Sequence, residues 1–416
     1  MLSHRTWQLG LLILSIAIGS VPFQAYAANS ALMELIQILK NKGSITEAEY
    51  QLLQKAAAED ETPAVAAAQP AITRQADVPV TSVAAKPASS NWTDSVALKG
   101  DIRLRYQNEQ EKPGAGRDRT RIRYRLGVTA QPTAGWEIGG GLATGPADPR
   151  STNQTFTESF SKKAINLDYG YAQYLFNDHL KLIGGKFRTT GYLYTVSDLL
   201  YDTDINPEGI SANFTYSSDF GSSFANTGLW VMEEKSASDK DPYLAYLQLG
   251  QSYSSDSVFA SLAGTYYSFE DNTTAGAFPT TGANTDFEFS GIYSLSGELG
   301  LHNLIGEGPR VSLIADLLEN SDTDTSDETG YLLGFKGTYA LWSFRYNYAR
   351  LDRNSWPDFL PDADRYSGRT GIRGHEFLVE YAIMKNVLLA VNYYLSEQDT
   401  TGFEQDLLQL DLNVKF

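Results

Sequence analysis

The sequence has no cysteine and only four histidines among its 416 residues. Without cysteine the chain has no disulfide, no thiol nucleophile and no thiolate metal site. Beyond the N-terminal region the histidines are His179, His302 and His375, and none has metal-ligand spacing or an evident serine partner. Neighbouring acids such as Glu233 and Glu234 point to opposite faces of a strand and cannot share one site. We therefore expect no enzyme activity, no cofactor and no bound metal.

Positive charge is also scarce, with 33 Lys and Arg against 50 Asp and Glu and a formal net charge of -17. A nucleic-acid partner is not expected, because phosphate binding requires a clustered basic surface. Aromatic residues and glycine are plentiful by contrast, with 25 Tyr, 19 Phe and 35 Gly. This composition favours strands and tight turns, and hence an all-β protein.

Long hydrophobic runs are confined to the N-terminus. Residues 9–18 form an apolar run after a short basic start, and Ala25 and Ala27 occupy the positions that a signal peptidase reads. Residues 1–27 are therefore predicted to be a secretory signal peptide. The alternative is an uncleaved anchor, although the run is shorter than the roughly 20 residues that a transmembrane helix needs. No later segment is long and apolar enough for such a helix, so a membrane-embedded mature chain must be a barrel.

The two segments after the signal peptide are predicted to be a helical extension and a linker. Residues 28–59 show helical periodicity interrupted at Gly43, which predicts two short helices in a periplasmic extension. A coiled coil with sister chains and a frayed extension both fit. Residues 60–93 are rich in Ala and Pro without a period and are predicted to be a flexible linker, followed by a barrel over residues 94–416.

The barrel strands are predicted from the alternation of apolar and charged residues. In residues 96–106, apolar side chains alternate with Lys99, Asp101, Arg103 and Arg105, and the following segment repeats the pattern. Such a strand has one apolar and one charged face. In a soluble sandwich the charged face meets water, whereas in a membrane barrel the apolar face meets lipid and the charged face meets the lumen.

Strand number and loop length favour the barrel over a soluble sandwich with a carbohydrate-binding face. The sequence contains about 16 candidate strands, and short turns alternate with long polar loops such as 145–162, 270–283 and 353–372, which is typical of membrane barrels. The seventh and tenth strands are placed at 226–235 and 284–299. The predicted fold is a transmembrane antiparallel β-barrel of about 16 strands, with its outer face in outer-membrane lipid.

The last strand carries one further signal. Leu408, Leu410, Leu412 and Val414 alternate with polar residues, and the strand ends on Phe416. A terminal aromatic residue on an amphipathic strand resembles the signal read by the outer-membrane assembly machinery. Phe416 is therefore our candidate assembly signal.

Five segments, in order, resemble the putative porin family of Gram-negative bacteria: Gly100–Tyr106, Arg119–Leu126, Tyr171–Tyr174, Gly184–Phe187 and Asp202–Gly209. The resemblance covers about residues 95–416. It implies a β-barrel pore, trimeric as general porins are, and it names no solute.

Together these features predict a porin in the outer membrane, with its N-terminal extension in the periplasm. Its expected function is a water-filled channel for passive diffusion of ions and small hydrophilic solutes. The alternative is an outer-membrane receptor or adhesin barrel that binds a partner through its long outer loops.

The alternation of side chains along the first two strands places a set of basic residues inside the predicted pore. Six arginines on the first two strands share the charged face, and a solvated exterior face is the alternative for them. These pore-lining candidates are Arg103, Arg105, Arg119, Arg121, Arg123 and Arg125.

The long connection from Thr189 to Pro207 follows the fifth predicted strand, where general porins place the loop that narrows the channel. An acidic loop opposite a basic wall would create a transverse field across the constriction. The alternatives are that these acids bind calcium or lie outside in solvent. The candidate constriction acids are Asp198, Asp202, Asp204 and Glu208.

Overall fold

The computed structural model describes residues 92–157, 159–236, 241–270, 280–304, 308–323 and 325–416. The predicted signal peptide, the helical extension and nearly all of the linker lie outside these residues. Trp92–Ser95 form a 3₁₀ turn, and the first strand begins at Ala97, close to the expected start of the barrel. Among the described residues, no helix is long and apolar enough to span a membrane.

The described residues form seventeen strands in one antiparallel sheet. Their bounds are β1 Ala97–Lys112, β2 Arg117–Ala130, β3 Trp136–Thr144, β4 Gln154–Thr155, β5 Ile165–Leu175, β6 Leu180–Lys186, β7 Glu208–Ser218, β8 Gly221–Val231, β9 Tyr243–Ser254, β10 Val258–Glu270, β11 Ile292–His302, β12 Arg310–Asn320, β13 Thr329–Tyr339, β14 Trp342–Leu351, β15 Ile372–Met384, β16 Val387–Gln398 and β17 Glu404–Lys415. Because β1 pairs with both β2 and β17, the sheet closes on itself. The two-residue β4 only extends the pairing of β2. Sixteen full strands remain, which confirms the predicted barrel.

Connections differ in length between the two ends of the barrel. At the end that holds the start of β1, the turns are short, such as 219–220 between β7 and β8 and 340–341 between β13 and β14. At the other end lie long connections, including 187–207 between β6 and β7 and 352–371 between β14 and β15. This is the arrangement of outer-membrane barrels, with short periplasmic turns and long outer loops.

The barrel is apolar outside and charged inside. On β1, Leu104 is 45% exposed, whereas its neighbours Arg103 and Arg105 are 6% and 2% exposed. A soluble sandwich would show the reverse, because its charged face meets water. The exposed apolar side chains therefore form the lipid-facing surface.

Three predicted strands were wrong by five residues or more at one boundary. The first strand, placed at 95–107, extends to Lys112. The strand placed at 226–235 is β8, which begins at Gly221, because its serine-rich start pairs across a tight hairpin in which Ser217 and Ser222 are hydrogen-bonded at 3.0 Å. The strand placed at 284–299 is β11 and begins only at Ile292. Asn284 belongs instead to a loop, since its backbone N–H donates to the carboxylate of Asp358.

A buried apolar cluster lies inside the barrel and fixes the path of the loop 187–207, called here the inward loop. Its Leu200 and Tyr201 pack among inward-facing aromatic residues of β8 to β10, including Trp230. From the loop 352–371, Trp356 stacks edge-on against Tyr201 and donates its indole N–H to the carbonyl of Leu200 at 2.7 Å. The inward loop is thus held against one side of the lumen by apolar contacts.

The seam between β1 and β17 depends on a glycine. Gly100 and Phe416 exchange two backbone hydrogen bonds of 2.9 and 3.0 Å. A Cβ atom on Gly100 would overlap the Phe416 ring. The terminal ring also approaches Tyr124 of β2, with ring centroids 6.3 Å apart. The last residue of the chain therefore closes the barrel over a position that admits no side chain.

Candidate functional site

A polar cavity of about 510 Å³ lies in the lumen, beside the inward loop. It is bounded by inward-facing side chains of β1, β2 and β15 to β17, and by residues of the inward loop and of the two loops around Arg150 and Asp364. We call it the lumen cavity. All six predicted arginines line it.

The register of β1 and β2 places these arginines opposite one another. Arg103 faces Arg123 across the strand pair, and Arg105 faces Arg121. Directly opposed like charges destabilise a strand pair unless counter-charges intervene. We refer to the six residues as the arginine wall.

Carboxylates from neighbouring strands supply the counter-charge. Asp411 of β17 binds Arg105 through both carboxylate oxygens, at 2.7 and 2.8 Å. Asp101 of β1 accepts from Arg123 and Arg125, each at 2.8 Å. Bidentate and shared pairs of this kind are strong and geometrically specific, so they fix the guanidinium planes along the lumen.

Arg119 and Arg121 of the arginine wall have different partners from the other four arginines. Arg119 forms an ion pair with Glu109 at 2.5 Å. Arg121 donates instead to two neutral oxygens, those of Gln107 at 3.1 Å and Ser151 at 3.4 Å. Arg103 also donates to a neutral oxygen, that of Asn153 at 2.7 Å, but it lies 3.9 Å from Asp411. Arg121 is therefore the wall residue without an ion pair among the described residues.

Asp204 brings the inward loop against the wall. Its carboxylate accepts hydrogen bonds from the backbone N–H and hydroxyl of Thr152 at 3.1 and 3.0 Å and lies 3.6 Å from Arg125. Burial by itself would raise the pKa of Asp204, but the positive charges of Arg125, Arg123 and Arg103 outweigh burial and lower it to about 2. Asp204 is therefore a fixed negative charge facing the arginines.

Asp202 also lines the lumen cavity, in contact with the loop 352–371. Its carboxylate accepts hydrogen bonds from the backbone N–H of Ala363 at 2.8 Å and of Asp204 at 2.9 Å. Burial, together with the negative charges of Asp362 and Asp204, raises the pKa of Asp202 well above its usual range. Asp202 and Asp204 thus differ in how readily they ionise.

The other two candidate acids lie elsewhere. Asp198 is buried, and its carboxylate is 3.9 Å from Arg345 of β14. Glu208 begins β7, where its largely exposed side chain binds Lys186 at 2.9 Å. Neither lines the lumen cavity. The structure therefore brings two of the four candidate acids to the lumen cavity and one of them, Asp204, to the arginine wall.

Several residues of the lumen cavity were missed by the sequence analysis. Asp101 and Asp411 carry the same strand parity as the arginines, and this signal could have identified them. Asp362 and Asp364 lie in a long loop, whose inward path has no periodic signal. Arg105 contacts Asp364 at 3.4 Å across the lumen.

The lining is balanced in formal charge. Among the described residues it contains nine cationic side chains, the six arginines of the wall together with Arg150, Arg188 and Lys415. It also contains nine carboxylates: Asp101, Glu109, Asp148, Asp202, Asp204, Asp362, Asp364, Glu380 and Asp411. No group of three or more His, Asp or Glu side chains within the described part of the chain is arranged to hold a metal ion.

A closed barrel with an apolar outer face and a charged lumen defines a β-barrel membrane channel. A family model described as "putative porin" matches residues 110–290 and 336–416. The chain therefore belongs to the putative porin family. It is a channel-forming porin, and its family and fold place it in the outer membrane.

One solved structure with a TM-score above 0.5 shares the fold, and a second aligns with a lower TM-score. OprB of Pseudomonas putida, in its high-pH structure, aligns with a TM-score of 0.53 and 11% identity over 78% of this chain and 95% of that chain. A mutant of the Rh. blastica porin aligns with a TM-score of 0.43 and 12% identity over 77% of this chain and 100% of the other. No curated protein matches the sequence. The family match favours the channel over the receptor or adhesin alternative, and porins as a class are not enzymes.

Proposed function

We propose that ions and small hydrophilic solutes cross this porin through the lumen cavity, along the arginine wall. The observation that carries the proposal is the position of Asp204, which faces Arg125 from the inward loop. Positive charge on the strands and negative charge on the loops produce a transverse field in a narrow, low-dielectric passage. Such a field orders water and dipolar solutes and disfavours apolar ones.

The apolar cluster supports this route. Because the inward loop packs on the β8 to β10 side of the lumen, the polar passage lies on the side of β1, β2 and β15 to β17. The contacts of Trp356 and Tyr201 hold the loop in that position. Solutes therefore pass along charged side chains.

The test is ion selectivity. Replacing Arg121 and Arg123 with Glu removes two positive charges from a balanced lining and adds two negative ones. In planar bilayers under a salt gradient, the reversal potential should shift toward cations relative to the unmodified channel. Arg117→Glu is the matched control, because Arg117 lies on the same strand but does not line the lumen cavity. An unchanged reversal potential in the double variant would contradict the proposed route.

We further propose that Phe416 is the signal read by the assembly machinery, and that the porin works as a homotrimer without catalytic activity. The seam contact between Phe416 and Gly100 supports the first part, since barrel closure is completed there. Phe416→Ser should reduce the amount of folded barrel in the outer membrane without reducing secretion. Chemical cross-linking of outer membranes should yield a trimer, and a monomer alone would contradict the proposed assembly.

We also propose that residues 1–27 are removed as a signal peptide and that residues 28–59 extend into the periplasm, joined to the barrel by the linker. The short-turn end of the barrel carries the start of β1, which supports a periplasmic position for the preceding chain. Protease added to intact cells should leave this extension uncut, whereas protease admitted to the periplasm should remove it.

A further inference from the structure

One row of inward-facing residues crosses five adjacent strands of the lumen cavity. In register, Glu380 of β15 faces Ala390, Ala390 faces Asp411, Asp411 faces Arg105, and Arg105 faces Arg121 of β2. The pair in the middle, Arg105 and Asp411, compensates itself. The row therefore presents a carboxylate at one end and a guanidinium at the other, with the small side chain of Ala390 beside the carboxylate.

Arg121 is the positive end that remains available. The other five arginines of the wall each lie within 4.0 Å of a carboxylate, whereas Arg121 makes no ion pair among the described residues. Its Nε atom is buried and has no hydrogen-bond partner in the described part of the chain. A guanidinium with spare donors is the group that recognises a carboxylate.

Two buried amide oxygens on the strands between the ends of the row have no hydrogen-bond partner among the described residues. Asn392 of β16 is 5% exposed and Gln405 of β17 is 2% exposed, and both line the lumen cavity. The Oδ1 atom of Asn392 and the Oε1 atom of Gln405 have no hydrogen-bond donor among the described residues. Buried amide oxygens normally accept a hydrogen bond, so these two atoms suit a solute that carries N–H or O–H donors.

Charge decides which donor fits. Asp364 lies 3.4 Å from Arg105, the residue that faces Arg121 across the strand pair, so an ammonium group is favoured over a hydroxyl at this end of the row. A solute with a net charge would meet as many repulsive as attractive side chains in the balanced lining. A small zwitterion carries its opposite charges on neighbouring groups, so it can pair with Arg121 and with Asp364 at the same time.

We propose that the lumen cavity contains a binding site for small zwitterions such as amino acids, with the carboxylate on Arg121 and the ammonium group on Asp364. This site rests on the proposed solute route along the arginine wall. It adds a solute class that the route alone does not specify. Binding is weak, as passage requires, and it raises the flux of zwitterions over that of solutes of equal size.

Four solutes with the same three-carbon skeleton test the proposal. They are alanine, a zwitterion; lactate, an anion; isopropanolamine, a cation; and propylene glycol, which is uncharged. Efflux of each labelled solute is measured from liposomes that contain the purified full-length porin in symmetric potassium chloride. Alanine should leave about fivefold faster than propylene glycol, from the weak ion pairing expected in a hydrated lumen, and faster than either ion.

Single-charge variants locate the two ends of the site. Arg121→Gln should slow alanine and lactate but not isopropanolamine, and Asp364→Asn should slow alanine and isopropanolamine but not lactate. Arg117→Gln, outside the lumen cavity on the same strand as Arg121, should leave the order of the four solutes unchanged.

Two outcomes would overturn the site. One is alanine efflux no faster than that of propylene glycol through a pore that conducts ions normally. The other is an equal effect of Arg121→Gln and Asp364→Asn on all four solutes, which would indicate a change of pore size alone. Loss of the selectivity shift in the Arg121 and Arg123 double variant would instead contradict the proposed route itself.

Discussion

Asp358 is the residue whose replacement should most clearly loosen the outer loops. Its carboxylate is fully buried and accepts five hydrogen bonds, from the backbone N–H groups of Thr281, Ala283 and Asn284 and from the hydroxyls of Thr280 and Thr281. These bonds join the segment before β11 to the loop 352–371. An asparagine side chain at position 358 retains one acceptor oxygen, but its NH₂ group cannot accept a hydrogen bond.

The cost of Asp358→Asn follows from this geometry. In the better amide orientation the Asn oxygen replaces Oδ2 and keeps its four donors, but the NH₂ group then faces the backbone N–H of Thr281. An unsatisfied buried donor costs about 1–3 kcal/mol, and the four remaining bonds lose their charge assistance. We expect about 3 kcal/mol in total, which corresponds to roughly 150-fold faster opening of the segment.

Hydrogen–deuterium exchange of the folded porin measures this opening directly. Amides of residues 281–284 should exchange faster in Asp358→Asn, while those of the barrel strands should not change. Thr281→Val removes a single accepted hydroxyl bond and should accelerate the same amides only about fivefold, for a loss of ~1 kcal/mol. Equal exchange in Asp358→Asn and the unmodified porin would refute the assignment of Asp358 as the anchor of this segment.

Three other perturbations follow from the barrel and its lumen. Gly100→Val should overlap the Phe416 ring at the seam, cost about 1–3 kcal/mol and lower the heat-modifiable folded fraction on gels; equal folding yield would contradict the seam contact. Leu104→Arg should destabilise the folded porin by about 2–4 kcal/mol in denaturant titration in bilayers, because it places charge on the lipid-facing surface, and no loss would contradict that orientation. Since the pKa of Asp204 is depressed to about 2, its pairing with Arg125 stabilises the loop above the usual Asp pKa near 3.9. That stability should be lost as pH falls from about 4 to 2, and Asp204→Asn should abolish the corresponding change in exchange of the inward loop.

The strands could be predicted closely from the sequence, because a membrane barrel imposes a strict period of two between lipid and lumen. The strands predicted at 136–144 and 387–398 coincide with β3 and β16. The parity that assigned Arg103 to the charged face also assigned Leu104 to the apolar face, and the exposures follow that assignment. Predicted strand boundaries were wrong where serine, glycine or loop contacts weakened the alternation of apolar and polar residues, as at Gly221.

The loops could not be predicted in the same way, because their paths depend on contacts between distant segments. Asp198 and Asp202 are four residues apart in one acidic stretch, yet Asp198 lies near Arg345 while Asp202 lines the lumen cavity. Nothing in the local sequence separates their environments. Likewise, Asp364 belongs to a loop predicted to be a polar outer loop, and it contacts Arg105 because the loop enters the lumen.

The position of the solute path is a consequence of apolar packing. The inward loop carries both the leucine and tyrosine side chains that bury themselves near Trp230 and the acid that faces Arg125. The first set anchors the loop to one side of the barrel, and the anchor determines how far Asp204 reaches toward the other side. Fixed dipoles and charges act strongly on a passing solute only when they do not relax toward it. The apolar cluster on one side of the lumen therefore sustains the transverse field on the other, and a change in either alters the channel.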